Sequence, residues 1–255
     1  KGNREQAVIA YKAYLAQYPD DTRALFRLGW ASMAVFRKMD DAIDAFTKLT
    51  KIDPRNTSAL INLATCYNGG LGQYEKAVEI YQKAFAISPD EVLGQYVNGE
   101  YGNALIQLGR TDEARQAFDK MTKAPDAMRQ ARGRRSMGFL GMHLGQYLAA
   151  VTELSEAARI NDANQYYLSS FRDRVLLAQA RLALGDRAAA VRDLAAVDVL
   201  RSKLTLGPEW LIHVVRLRAQ MGQIDEAQKI AALIAKTVGN TLTDTSVARN
   251  LSEDQ

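Results

Sequence analysis

One small residue recurs along this chain at a nearly constant interval. Ala7, Ala42, Ala77, Ala114, Ala150, Ala190 and Ala227 are separated by steps of 35, 35, 37, 36, 40 and 37 residues. A second row lies four residues further on, at Tyr11, Phe46, Tyr81, Phe118, Leu154, Leu194 and Ala231. A third lies seven further on, at Tyr14, Leu49, Ala84, Met121, Ala157, Val197 and Ile234. Offsets of four and seven put all three rows on one face of a helix. A single helix with such a face has too little to bury, so its copies must stack, and a fixed period of this length points to a helical array.

A second amphipathic helix precedes each copy. The patterning predicts pairs over 22–36 and 40–52, 57–69 and 74–87, 91–108 and 112–123, 127–144 and 147–160, 164–184 and 187–200, and 208–221 and 225–237. The turn inside a pair is marked by glycine in Leu108-Gly109, Leu144-Gly145, Leu184-Gly185 and Met221-Gly222, where a left-handed residue is needed to end the first helix. Asp112, Asp186 and Asp225 then stand ready to cap the second helix. Pro19, Pro54 and Pro89 close the first three copies, because the residue before a proline is pushed out of helical geometry.

A period near 34, two helices per unit, and a Leu-Gly, Tyr, Ala, Phe, Ala, Pro signature resemble the tetratricopeptide repeat. The second full unit carries it at Leu63, Tyr67, Gly72, Tyr74, Ala77, Tyr81, Ala84 and Pro89, and the first at Leu28, Gly29, Ala42, Phe46, Leu49 and Pro54. Both have one extra residue at the inter-helix turn, at Phe36–Lys38 and Gly69–Gly72. Later units lose the proline, and the fifth has a longer lead-in at Asn161–Tyr167. The resemblance implies an all-α, right-handed superhelical solenoid of antiparallel helix pairs. Residues 1–18 read as a half repeat, the second helix only. Six units follow at about 22–54, 57–89, 91–124, 127–161, 164–201 and 207–238, and 239–255 reads as a polar tail or short capping helix. The mid-repeat start at Lys1 is expected of a piece of a longer protein.

The composition narrows the function classes. With Cys66 alone no disulfide framework can form, so nothing calls for an oxidising compartment and the expected location is the cytoplasm. No run approaches the roughly 18 apolar residues of a membrane span. A net charge of +4 is low for tracking phosphates over so many units, and the groove places show no repeating polar code, which disfavours an RNA-reading repeat.

Chemistry is sparse. His143 and His213 belong to units about 70 residues apart with no paired carboxylates or cysteine at ligand spacing. Cys66, among Leu63, Ala64 and Tyr67, reads as a small core residue without a basic neighbour to activate it. Gly69-Gly70-Leu71-Gly72 follows no strand and precedes no Gly-Lys-Ser/Thr, so it reads as a turn. Gly138 and Gly141 lie inside a predicted helix, where small residues let a neighbour approach. No enzyme activity, metal or cofactor is expected.

What remains is surface. In the family the resemblance names, groove-facing side chains come from fixed places on each first helix. Carried onto this chain, those places give Phe26, Trp30 and Met33, then Ile61 with Asn62 adjacent, then Tyr96 and Asn103. Further along they give Arg132, Arg135 and Phe139, then Arg172 and Gln179, then Arg216. The first end is apolar around Trp30. Further on, Arg129, Arg132, Arg134 and Arg135 fall within seven residues without an acid between them. Such a cluster needs an offset, either internal (Asp126, Glu100 or Asp119) or an acidic peptide held bidentately. Phe26 and Trp30 stand where the family's carboxylate clamp has Lys and Asn, which disfavours that clamp. The expected function is a protein-interaction scaffold that binds a partner peptide or helix in a concave groove. Alternatives are the sensor or docking region of a signalling protein with a kinase or DNA-binding domain, and self-association.

Overall fold

The computed structural model describes residues 2–33, 38–89 and 97–243, and among these the chain is all-α, with thirteen helices and no strand. α1 (Gly2–Gln17) stands first. Six pairs follow: α2 (Thr22–Met33) with α3 (Met39–Ile52), α4 (Thr57–Thr65) with α5 (Tyr74–Ile87), and α6 (Val97–Gln107) with α7 (Thr111–Thr122). Then come α8 (Ala127–His143) with α9 (Tyr147–Ala163), α10 (Tyr167–Ala183) with α11 (Arg187–Arg201), and α12 (Pro208–Gln220) with α13 (Ile224–Thr243). This is a helical-repeat solenoid fold, grouped into two compact units, Lys1–Pro125 and Asp126–Gln255. α13 runs to Thr243, five residues into the stretch read as a tail, and the rest of that stretch lies outside the described residues.

The three recurrent rows form the core. Ala42, Ala77, Ala114, Ala150 and Ala190 are fully buried, as are Phe46, Tyr81, Phe118 and Leu154 four residues on, with Leu194 close behind. The first and last copies slip: in α1, Tyr11 is half-buried and Tyr14 exposed. In α13, Ile230 is buried in place of Ala231, which is exposed. Opposite the large residue stands a small one on the first helix. A methyl group added to Gly29 would sit 2.6 Å from Phe46 Cζ, one on Gly138 would sit 2.5 Å from Leu154 Cγ, and one on Gly102 would overlap the Phe118 ring. The glycines set how close the paired helices come. In the first unit the joints at Phe46 and Tyr81 merge into one core running from Val8 to Ala84. In the second, Phe171, Leu194, Leu211, Leu217 and Ile230 form the main cluster, beside a smaller one around Ala150 and Leu154.

The turns follow from local chemistry. Gly109, Gly145, Gly185 and Gly222 have φ of 73°, 72°, 80° and 66°, and in each case the next residue bonds back across the turn, as Gln146 N–H does to Gly141 C=O at 2.7 Å. This is the double-bonded left-handed helix ending. Asp186 caps α11 by accepting the Ala189 N–H at 3.0 Å, whereas Asp112 and Asp225 fall inside the first turns of α7 and α13 and act on the helix dipole instead. The spare residue at Gly69–Gly72 is absorbed by a π-helical turn, Cys66–Gly70, which ends α4.

The longer lead-in of the fifth copy also has a physical form. Its step exceeds the previous one by four residues, which is one helical turn, and α9 extends to Ala163. After it, Gln165 takes φ of 57°, the one non-glycine in the left-handed region among the described residues. Its N–H and that of Tyr166 make the same pair of bonds as at the glycine turns, to Asp162 and Asn161. A Cβ in this conformation costs about 1–2 kcal/mol, and the flexibility glycine adds to the unfolded chain offsets part of any relief. Gln165→Gly is therefore expected to stabilise the second unit by about 0.5–1 kcal/mol, read as a higher urea midpoint at unchanged slope.

Candidate functional site

The place that Trp30 holds is open on five of the six first helices. In the first unit this row comprises Trp30, 54% exposed, then Thr65, half-buried, then Asn103, exposed. Thr65 and the Tyr81 hydroxyl share a hydrogen bond of 3.1 Å. In the second unit the row is Phe139, Gln179 and Arg216, all exposed. Trp30 is not taken up by α1, and its indole stands open on a helix whose Leu25 and Leu28 are buried. Phe26 and Met33, four residues before and three after it, are half-buried against the first unit's core, with Phe26 edge-on to Phe46 at 5.9 Å between ring centroids.

Several of the other expected groove places are less open. Ile61 is a correction: it is buried in the first unit's core and offers nothing to a ligand. Asn62 is half-buried and donates its side-chain amide to Ser58 C=O at 2.8 Å. Tyr96 lies outside the described residues. Among the turn residues of α4, Asn68 is buried and donates to Glu100 C=O of α6 at 3.1 Å, tying one pair to the next.

The arginine cluster proves to be largely internal wiring of the second unit. Arg129 pairs with Asp126, which also caps α8 through the Arg129 N–H at 2.9 Å. Arg134 reaches Glu153 at 3.0 Å. Arg135 forms an ion pair with Asp173 and donates to Ser169 C=O at 3.1 Å. Asp173 is wholly buried and also accepts the Asn161 amide at 2.6 Å. Burial pushes its carboxyl above the ordinary value, against the pull of Arg135 and Asn161. Arg172 lies over the Trp210 ring at 3.9 Å, and burial, with Arg135 and Arg132 nearby, pulls its pKa down. Arg132 is half-buried. Of the internal offsets expected, Asp126 serves, while Asp119 pairs with Lys123 instead.

Asp173, Asn161, Glu153 and Trp210 were not legible as partners. A signal did exist for two of them. Arg135 to Asp173 and Arg172 to Trp210 both span 38 residues, about one repeat, so each joins matching places on consecutive first helices. The same unit adds Arg181 to Asp193 at 2.7 Å and the buried Arg218 to Asp198 and Gln223.

Other groups stay apart. His143 and His213 are exposed. Cys66 is buried, and burial pushes its thiol up to about 11, so it is not a thiolate at neutral pH. Among the described residues no group of three or more His, Cys, Asp or Glu could hold a metal, and no helix is long and apolar enough to cross a membrane.

Stacked helix pairs with recurrent small-against-large joints define a helical-repeat protein. Two family models of the tetratricopeptide repeat match the chain, over residues 34–92 and 70–132. A tetratricopeptide repeat protein from Parabacteroides merdae has a solved structure similar at a TM-score of 0.68 and 21% identity, covering 98% of this chain and 91% of that one. PilW, a type IV pilus biogenesis factor, is similar at 0.63 and 21%, covering 90% and 98%. MamA is similar at 0.56 and 22%, covering 65% and 93%. At these identities the likeness is one of fold. No curated protein matches the chain in sequence. The sequence match to the tetratricopeptide repeat thus spans residues 34–132.

Proposed function

We propose that this chain is a protein-interaction scaffold whose units take up partner segments along the open row of their first helices. The observation that carries the reading is Trp30, a tryptophan more than half exposed on a helix whose other large apolar residues are buried or half-buried. Flanked on one face by Phe26 and Met33, it makes an apolar anchor of the kind that dominates binding energy at interfaces. In the second unit the row offers Phe139, Gln179 and Arg216, a mixed surface on which Arg216 is the cation for an acidic group. Arg135 and Arg172 are spent on Asp173 and Trp210, so they hold the scaffold's shape and are left out of the ligand-facing set. The reading assigns the chain no catalytic step.

The test uses peptides selected from a displayed random library on the wild-type chain, then titrated against Trp30→Ala by fluorescence anisotropy. Loss of an anchor worth about 2 kcal/mol lowers affinity about 30-fold. The melting temperature stays put, because the indole is exposed. Peptides that bind both proteins equally well sink the proposal.

A further inference from the structure

Six residues after its row alanine, each second helix has a place that is buried in none of the six pairs. Lys48, Lys83, Lys120 and Glu156 hold it in the first four pairs and Ala196 in the fifth. In α13 it falls to Leu233, 45% exposed, so an aliphatic side chain stands where most copies put a charge. Other leucines gather beside it. Leu204 and Leu206, in the lead-in to α12, are half-buried on either side of the exposed Thr205, because alternate residues of an extended stretch share a side. With Leu211 of α12 they and Leu233 wall a niche of about 260 Å³. Its polar end is formed by Asp198 and Arg201 of α11. Arg201 reaches Asp198 at 3.4 Å, but that carboxylate is also held by the buried Arg218. Two guanidiniums therefore share one carboxylate, and Arg201 Nε is buried with no partner. Lys229 and Lys236 stand exposed one turn on either side of Leu233. The walls are aliphatic and the polar end carries an excess of positive charge.

We propose that this niche binds a free medium-chain aliphatic carboxylate, its chain among the four leucines and its headgroup at Arg201. Charge selects the head. One further carboxylate balances the group of Arg201, Arg218 and Asp198, and the guanidinium offers it a charge-assisted hydrogen bond. The walls select the tail, since leucines give methylenes close contact and give polar groups no hydrogen bond. Size sets the length: with a methylene about as large as a water, whose share of the liquid is about 30 Å³, the niche takes roughly eight carbons. A partner's helix, about 10 Å across, would bridge over it instead. The site is separate from the Trp30 row, so either reading can fail without the other.

Isothermal titration of the wild-type chain with the straight-chain acids from butanoate to decanoate tests this. Affinity should rise about fourfold per methylene up to octanoate and level off beyond it. The uncharged 1-octanol should bind at least about tenfold more weakly than octanoate. Leu233→Glu gives α13 the residue that the fourth pair carries at this place, and the position is exposed, so the melting temperature is expected to stay put. It should lower octanoate affinity at least about tenfold. Arg201→Gln should weaken octanoate and leave 1-octanol unchanged, a difference that a merely structural loss would not produce. Affinity that ignores chain length, 1-octanol binding as well as octanoate, or octanoate binding untouched by Leu233→Glu overturns the proposal. The absence of any binding up to millimolar octanoate overturns it too.

Discussion

Asp173→Ala is expected to destabilise the second unit by about 3–5 kcal/mol, the usual result of removing one partner from a buried ion pair. Arg135 would be left with its guanidinium mostly buried, at 17% side-chain exposure, facing an empty place. The Asn161 amide would lose its acceptor at the same time. Against a total stability of about 5–15 kcal/mol, a loss of this size brings the unit to the edge of folding. The companion result separates the charge from the contact. Arg135→Met/Asp173→Leu, which replaces both charges with apolar groups, is expected to recover most of the loss, because neither desolvation penalty remains. Urea unfolding of the wild type, both single variants and the double variant checks this. If Asp173→Ala costs less than about 1 kcal/mol, the buried pair is not what joins α8 to α10.

Phe118→Ala is expected to cost the first unit about 3–5 kcal/mol, since a wholly buried ring leaves a cavity between α6 and α7. The more diagnostic change is on the opposite side of the joint. Gly102→Ala gains about 1 kcal/mol of helix propensity but drives a methyl group into the Phe118 ring, for a net loss of up to about 2 kcal/mol. Gly102→Ala/Phe118→Leu should then be more stable than either single variant. The fifth pair already carries that combination, with Ala178 and Leu194 at the same two places in one core cluster. Thermal unfolding of the three variants decides it. Equal or additive losses would mean that the small residue does not set the helix separation.

The two joints explain why so much of the fold was readable. Burial on a helix repeats every three to four residues, and burial in an array repeats once per unit, so Ala114, Phe118 and Met121 announce both their helix and its neighbour. Exposure on the ligand-facing side has no such period. Ile61 and Phe26 hold the same place in successive units, yet one is in the core and the other half-buried, because the outcome depends on how closely the next pair is laid against it. The arginine cluster misled for a related reason. Reading Arg129 to Arg135 along one helix reveals the repulsion, but the carboxylate that answers Arg135 sits one repeat away, where only the stacking of consecutive first helices brings it near. Tyr14 shows the opposite case: its row marked it as a core residue, and the structure leaves it exposed.

The chain has two tryptophans, and they fall one to each unit: Trp30 in the open and Trp210 beneath the Arg172 guanidinium. An indole facing water emits further to the red than one covered by protein, so the two units carry distinguishable intrinsic fluorophores. Replacing Trp30 by Phe leaves a chain whose emission reports on the second unit alone, and replacing Trp210 by Phe does the same for the first. Whether the two units melt as one or in sequence can thus be followed by light, without attaching a dye to either.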